Sequence, residues 1–343
     1  MGICISSSSS KSQETKDSNE NVIFVEGTNG SNEVPRLASL HSQPGSKGSN
    51  QDAAILLQSY GMEDGAFCGV FDGHGKNGHI VSKLVRSRLP SLLLSRRNAL
   101  TTSNDDNYGD GEERLDGELG SSKMFHEWKE ACISAFKVMD KELELNEKWD
   151  CSCSGTTAVT IIKQGEDVII ANLGDSRAVL GTTTDNGMLV VQLTTDQKPN
   201  LPSEADRIKK SNGRIIAPKE EPDIQRVCLP DEDFPGLAMT RAFGDFKLKD
   251  FGIIAIPEIS YHRLTTGDQF LVLATDGVWD VLSNKQVASL VWFAESEEAA
   301  ARAVVDAAVA AWKRKYIVVD DCTVVCIFLQ ERRHQRQPLH KES

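Results

Sequence analysis

The chain has 343 residues, 39% hydrophobic and 26% charged, enough for a sizeable buried core and against wholesale disorder. A formal net charge of −12 makes it a poor nucleic-acid binder by bulk electrostatics. No run of about 18 uninterrupted apolar residues is present, so no membrane-spanning helix is expected. The eight cysteines are scattered, without a CxxC or a Cys/His cluster, which argues against a zinc site and a disulfide framework and for reduced thiols.

In chain order, the first feature is Met1-Gly2-Ile3-Cys4-Ile5-Ser6. This is a myristoylation pattern, with Gly2 as the acceptor once Met1 is removed. One acyl chain gives only marginal membrane binding. Residues 11–20 mix Lys11 and Lys16 with Glu14, Asp17 and Glu20, so no basic patch helps. Cys4, as a palmitate acceptor, is the expected second signal. This predicts a location at the cytoplasmic face of the plasma membrane with a cytosolic pool, or cytosol and nucleus if the chain is not acylated. The rest of 1–34 reads as a disordered tail, and the polar segment 331–343 as a second one.

Ile80, Val81, Leu84, Val85, Leu89, Leu92 and Leu93 predict a helix over 77–94, kinked at Pro90. Residues 96–122 are acidic and Gly-rich and read as a solvated loop. Tyr108 and Gly117 would occupy ligand positions of a calcium loop starting at Asp106, and both fail that pattern. Met124, Trp128, Cys132, Ala135, Met139 and Leu143 form one apolar face of a helix over 123–146. Thr157–Ile162 and Val168–Asn172 read as a hairpin, followed by strands at Arg177–Leu180, Leu189–Leu193, Phe270–Ala274 and Thr323–Leu329, with a helix over Ala299–Trp312. Strands follow strands through short turns and helices come in blocks. The expected class is α+β with largely antiparallel sheets.

The chemistry-bearing residues are carboxylates at apparent strand ends: Asp52, Asp72 in Gly69-Val70-Phe71-Asp72-Gly73-His74-Gly75, Asp276 in Ala274-Thr275-Asp276-Gly277, and Asp320-Asp321 before the last strand. One Asp-Gly pair alone is most simply a turn cap. Several together suit hard divalent cations, which take oxygen ligands and keep several waters. Cys326 and Arg332 have the spacing of a thiol phosphatase, but the bulky, glycine-free Ile-Phe-Leu-Gln-Glu between them cannot wrap its amides around a phosphate.

Six motifs follow in order: Gly69–Gly75, Ser154-Gly155-Thr156-Thr157-Ala158, Asn172-Leu173-Gly174-Asp175-Ser176-Arg177, Leu237–Asp245, Ala274–Asp280 and Asp320–Val325. From about residue 35 to 330 the chain resembles the metal-dependent protein phosphatases of type 2C (the PPM family), of the plant kind. The resemblance implies a central β-sandwich of two antiparallel sheets flanked by helices on both faces. It implies a serine/threonine phosphatase in which a metal-activated hydroxide attacks phosphorus with no covalent enzyme intermediate. Asp72 would bridge two Mn²⁺ or Mg²⁺ ions, with the Gly73 carbonyl, Asp276 and Asp320 as further ligands and Asp52 acting through water. Asp175 and Asp280 match positions of a weaker third ion. His74 stands where the general acid belongs. Lys47 stands at a phosphate-binding position where animal members carry Arg, and Gln51 where they carry Glu. Residues 200–235 would form the flap beside the site. The expected partners are phosphoserine and phosphothreonine proteins, with no nucleic acid, and the chain is expected to be a monomer. A phosphoprotein-binding module without catalysis would show degraded metal positions, whereas Asp72, Asp276 and Asp320 are intact.

Overall fold

A computed structural model describes residues 20–25, 38–105, 117–185, 187–219 and 222–330. Six strands form one sheet, in the order Val22–Val25, Ala53–Gln58, Ala66–Phe71, Ala158–Gln164, Asp167–Leu173, Glu258–Arg263. Five form the other, in the order Gly187–Gln192, Arg177–Thr184, Asp268–Ala274, Cys322–Phe328, Ala38–Gln43. Side chains alternate across each sheet, and this period of two builds the layers. Ala54, Leu56, Val70, Ile161 and Ile170 point inward and meet Leu180, Leu271, Leu273 and Val325 of the opposite sheet. Their neighbours Ala53, Ile55, Phe71, Ile162 and Ile169 point outward, against Val81, Leu89, Trp128 and Phe136 of the helices Gly78–Asp105 and Gly117–Glu144. On the far side Val272, Ala274, Val324 and Cys326 meet Val287, Val304 and Ala308 of the helices Asn284–Trp292 and Glu297–Lys315. The result is the expected sandwich with helices on both faces.

Three local expectations are corrected. Val22–Val25 lies inside the segment read as a disordered tail, yet it pairs in parallel with Ala54–Leu57, so the six-stranded sheet is mixed. Its four apolar residues explain this: Val22 and Phe24 pack into the sandwich, and Ile23 packs toward the helices. The solvated loop over 96–122 is shorter than read, because the helices run to Asp105 and resume at Gly117. The first of them also continues through Pro90 rather than ending near residue 94. Leu92, Leu93 and Leu100 extend its apolar face, and Tyr60 Oη donates to the Pro90 carbonyl (2.6 Å).

The segment 200–235, which the resemblance implies is a flap, holds a helix, Pro202–Lys210, and a small hairpin, Arg214–Ile216 with Arg226–Cys228, over a core of Ile208, Val227, Leu237 and Leu248. Glu204 anchors it. That buried carboxylate takes hydrogen bonds from both Arg207 and Arg241 and from Thr240 Oγ1 (2.6 Å). Burial alone would raise its pKa, but these partners win and hold it at about 2.

Candidate active site

The carboxylates converge because the strands bearing them end together. Asp72 follows Ala66–Phe71, Asp276 follows Asp268–Ala274, Asp52 precedes Ala53–Gln58, and Asp320-Asp321 precede Cys322–Phe328. The two sheets bring these ends to one edge of the sandwich. Asp52 is buried and its Oδ2 accepts from Thr275 Oγ1 (2.8 Å). Burial raises the pKa of Asp52 well above the carboxylate range, and the charge of Asp321 adds to it. Burial likewise raises Asp72, reinforced by Asp276, Asp52 and Asp320, and it raises Asp276, reinforced by Asp175, Asp280 and Asp320. Such mutual elevation marks a pocket built for positive charge.

Two ammonium groups face this cluster. Lys47 Nζ sits 2.5 Å from Asp320 Oδ2, and Lys198 Nζ lies 3.6 Å from Asp175 and 3.5 Å from Asp280. Asp175 is buried, and its Oδ1 has no hydrogen-bond partner. Every side chain of the cluster offers oxygen, the donor set of a hard divalent cation. Among the described residues no three His, Cys, Asp or Glu side chains close on a single point. Ligands beyond these carboxylates would be backbone carbonyls or water. Gly73 suits the first of these. It is buried, and a Cβ there would lie 2.4 Å from the Gly78 carbonyl oxygen and 2.6 Å from that of Gln51, so only glycine fits.

Lys47 rides on a loop that Asp321 fastens. The Asp321 carboxylate accepts from the backbone N–H of Gly45 and of Gln51, both at 2.7 Å. The Gln51 side chain turns away from the acids and donates to the Gly75 carbonyl (2.9 Å).

His74 is placed by a three-stranded ladder in which Gly73–His74 pairs with Gly155–Thr156, which pairs with Phe243–Gly244. This sets His74 Nε2 2.6 Å from Asp245 Oδ2. Gly155 lies between them: a Cβ there would stand 2.3 Å from Asp245 Oδ2 and 2.8 Å from His74 Nε2. Burial would lower the imidazole pKa. The Asp245 charge and hydrogen bond, with Asp175 and Asp276 behind, outweigh that and raise it. His74 Nδ1 is buried with no hydrogen-bond partner.

The structure thus brings together Lys47, Asp52, Asp72, Gly73, His74, Asp175, Asp276, Asp280 and Asp320. Gly2, Cys4 and Arg332 lie outside the described residues. Asp245, Lys198 and the Asp321 clamp carry roles that the sequence reading did not assign. Asp245 closes the motif Leu237–Asp245, and its place after Gly244 repeats, in reverse, the Asp-Gly pattern that drew attention elsewhere. Cys326 is buried in its strand.

The model of the family described as protein phosphatase 2C matches residues 38–315. The chain belongs to the protein phosphatase 2C family. A probable protein phosphatase 2C of Arabidopsis thaliana is 52% identical over 97% of this chain and 99% of its own length. One from Oryza sativa subsp. japonica is 48% identical over 96% and 92%. The crystal structure of a serine-threonine phosphatase 2C from Toxoplasma gondii superimposes with a TM-score of 0.74 at 26% identity, covering 85% of this chain and 94% of that one. This phosphatase 2C is accordingly a metal-dependent protein serine/threonine phosphatase.

Replacing Asp321 by Asn should test the loop clamp. The amide keeps one acceptor and sets an NH₂ against the other backbone N–H. A loss of about 2 kcal/mol is expected in denaturant unfolding, together with a raised KM for a phosphopeptide.

Proposed function

We propose that two divalent cations, Mn²⁺ or Mg²⁺, are held by Asp72, the Gly73 carbonyl, Asp276 and Asp320, with Asp52 steadying water at the cluster and Asp175 and Asp280 serving a weaker third ion. The observation that carries this reading is the meeting of buried Asp52, Asp72 and Asp276 with Asp175, Asp280, Asp320 and Asp321, each of the first three raised by burial and by neighbouring carboxylate charge. When bound, the cations neutralise charge on the phosphoryl group and lower the pKa of water beside it.

The chain's own residues do the rest. Lys47, with 59% of its side chain exposed, can turn from Asp320 to a phosphate oxygen. It offers a point charge where arginine would offer a fork. His74 keeps a fifth of its side-chain surface. Held by Asp245, its imidazole supplies a proton to the departing Ser or Thr oxygen. Among the described cysteines all but Cys153 are buried, and burial raises the thiols of Cys68, Cys132, Cys151, Cys153, Cys228 and Cys322, that of Cys132 up to about 12.

Phosphate release from a phosphothreonine peptide should require Mn²⁺ or Mg²⁺, stop with EDTA, survive thiol alkylation and fall at least about a hundredfold in Asp276→Asn. Undiminished release by that variant, correctly folded, would sink the metal assignment.

The raised pKa of His74 has a kinetic consequence. A general acid works while protonated, so the rate should decline as pH rises through the elevated His74 value. Asp245→Asn removes the charge that outweighs burial. Its alkaline limb should therefore move to lower pH in the kcat profile, and a limb that does not move would remove His74 from the acid role. The effect should be strongest for a phosphothreonine peptide and weak for p-nitrophenyl phosphate, whose leaving group needs no acid.

We further read the chain as a monomer tethered through acylated Gly2 and Cys4 at the cytoplasmic face of the plasma membrane, with a cytosolic pool. Support comes from the Met1–Ser6 pattern; among the described residues no helix is long and apolar enough to cross a membrane. In cells, Gly2→Ala should shift the protein from the membrane to the soluble fraction, and unchanged partitioning would refute the anchor.

A further inference from the structure

The segment Trp312–Val318 takes no part in the chemistry above, and what it exposes is unusual. All residues from Lys313 to Val318 are exposed. Ile317 is fully so, at 101%, beside Val318 at 46% and Tyr316 at 43%. Lys313, Arg314 and Lys315 form the last turn of the preceding helix. Isolated exposed aliphatics are ordinary, and cations suit a helix C-terminus. Each of those explanations covers one feature, and neither accounts for an unshielded Ile-Val pair directly after three cations and an aromatic ring.

Nor is the tip a loose end. The Trp312 indole N–H donates to the Gly277 carbonyl (2.6 Å), and the rings of Trp312 and Tyr316 lie 4.8 Å apart. Buried Val319 exchanges two hydrogen bonds with Ser46: its N–H donates to Ser46 Oγ (2.9 Å) and its carbonyl accepts from the Ser46 N–H (2.8 Å). Ile317 and Val318 are thus presented between two fixed points.

The neighbourhood indicates what they meet. Ser46 begins the loop that runs to Gln51. On its other flank Asn21 Nδ2 donates to the Asn50 carbonyl (3.3 Å), and Asn21 directly precedes the strand Val22–Val25. The N-terminal segment therefore enters the fold on the same loop that supports the tip. Aliphatic side chains, aromatic rings and basic residues together are what the interface of an anionic bilayer accommodates. In a chain of net charge −12, three adjacent cations also choose which face approaches such a surface.

We propose that the tip Trp312–Val318 is a contact for an anionic membrane surface, with Ile317 and Val318 entering the headgroup layer and Lys313, Arg314 and Lys315 meeting lipid phosphate and carboxylate. The contact does not depend on acylation, and its test separates the two.

Full-length protein made without acyl chains is floated with vesicles of phosphatidylcholine and with vesicles that also contain phosphatidylserine. It should float with the second kind only, and less at high salt. The double variant I317D/V318D should bind at least about tenfold more weakly. The triple variant K313S/R314S/K315S should bind about a hundredfold more weakly, at roughly fivefold per basic residue. All should hydrolyse p-nitrophenyl phosphate like the parent, which shows them folded. A parent that does not float with phosphatidylserine vesicles, or variants that float equally well, would overturn the proposal. So would variants that float normally but lose activity on a phosphoprotein alone, since that result assigns the tip to protein docking. Failure of the acyl anchor is read separately from Gly2→Ala in cells.

Discussion

Carboxylates that repel one another are gathered at one end of this sandwich, and the surrounding structure is arranged to keep them there. Burial and mutual charge both disfavour ionised Asp52, Asp72 and Asp276. For Asp52 a partial offset comes from hydroxyl groups at the strand ends. Thr275 Oγ1 donates to Asp52 and accepts from the Thr323 N–H (3.1 Å), and Thr323 Oγ1 pairs with Ser42 Oγ (2.7 Å) across the sheet. Thr157 Oγ1 accepts from the Asp72 N–H (3.0 Å) and pairs with Ser176 Oγ (2.8 Å). The two hydroxyl chains lace together the strand ends that bear the acids. A site of this charge is a stored preference for cations, and the fold carries that cost in its apolar core, well away from the chemistry.

The core was legible because its physics is local. Two runs rich in β-branched residues, within Ala158–Gln164 and Asp167–Leu173, joined by a two-residue turn at Gly165-Glu166, mark the hairpin directly. Helical spacing from Met124 to Leu143 does the same for one helix. Val22–Val25 escaped because four apolar residues in a polar stretch are too few for a period, and its parallel partner lies about thirty residues on. Helix ends escaped because the residues from Arg96 to Asp105 are polar, and tertiary packing of Leu100 rather than composition extends that helix.

The site divides in the same way. The acids followed by glycine announce themselves, since a strand running into Asp-Gly is a local pattern. Pairings across long separations do not. His74 and Asp245 are 171 positions apart and meet only because a minor ladder threads between them, and Asp321 reaches Gly45 and Gln51 across 276 and 270 positions. A motif supplies such residues without saying which of them touch.

These anchors are separate. The ladder through Gly155 fixes His74, the Asp321 clamp fixes the loop of Lys47, and Glu204 fixes the flap. The flap has its own small core, around Ile208 and Val227, distinct from the two outer layers of the sandwich. Residues on its exposed face, among them Ile224 and Phe234, can therefore change without moving the catalytic acids. A change on that face alters what the segment presents to solvent while the acids and their clamps keep their places.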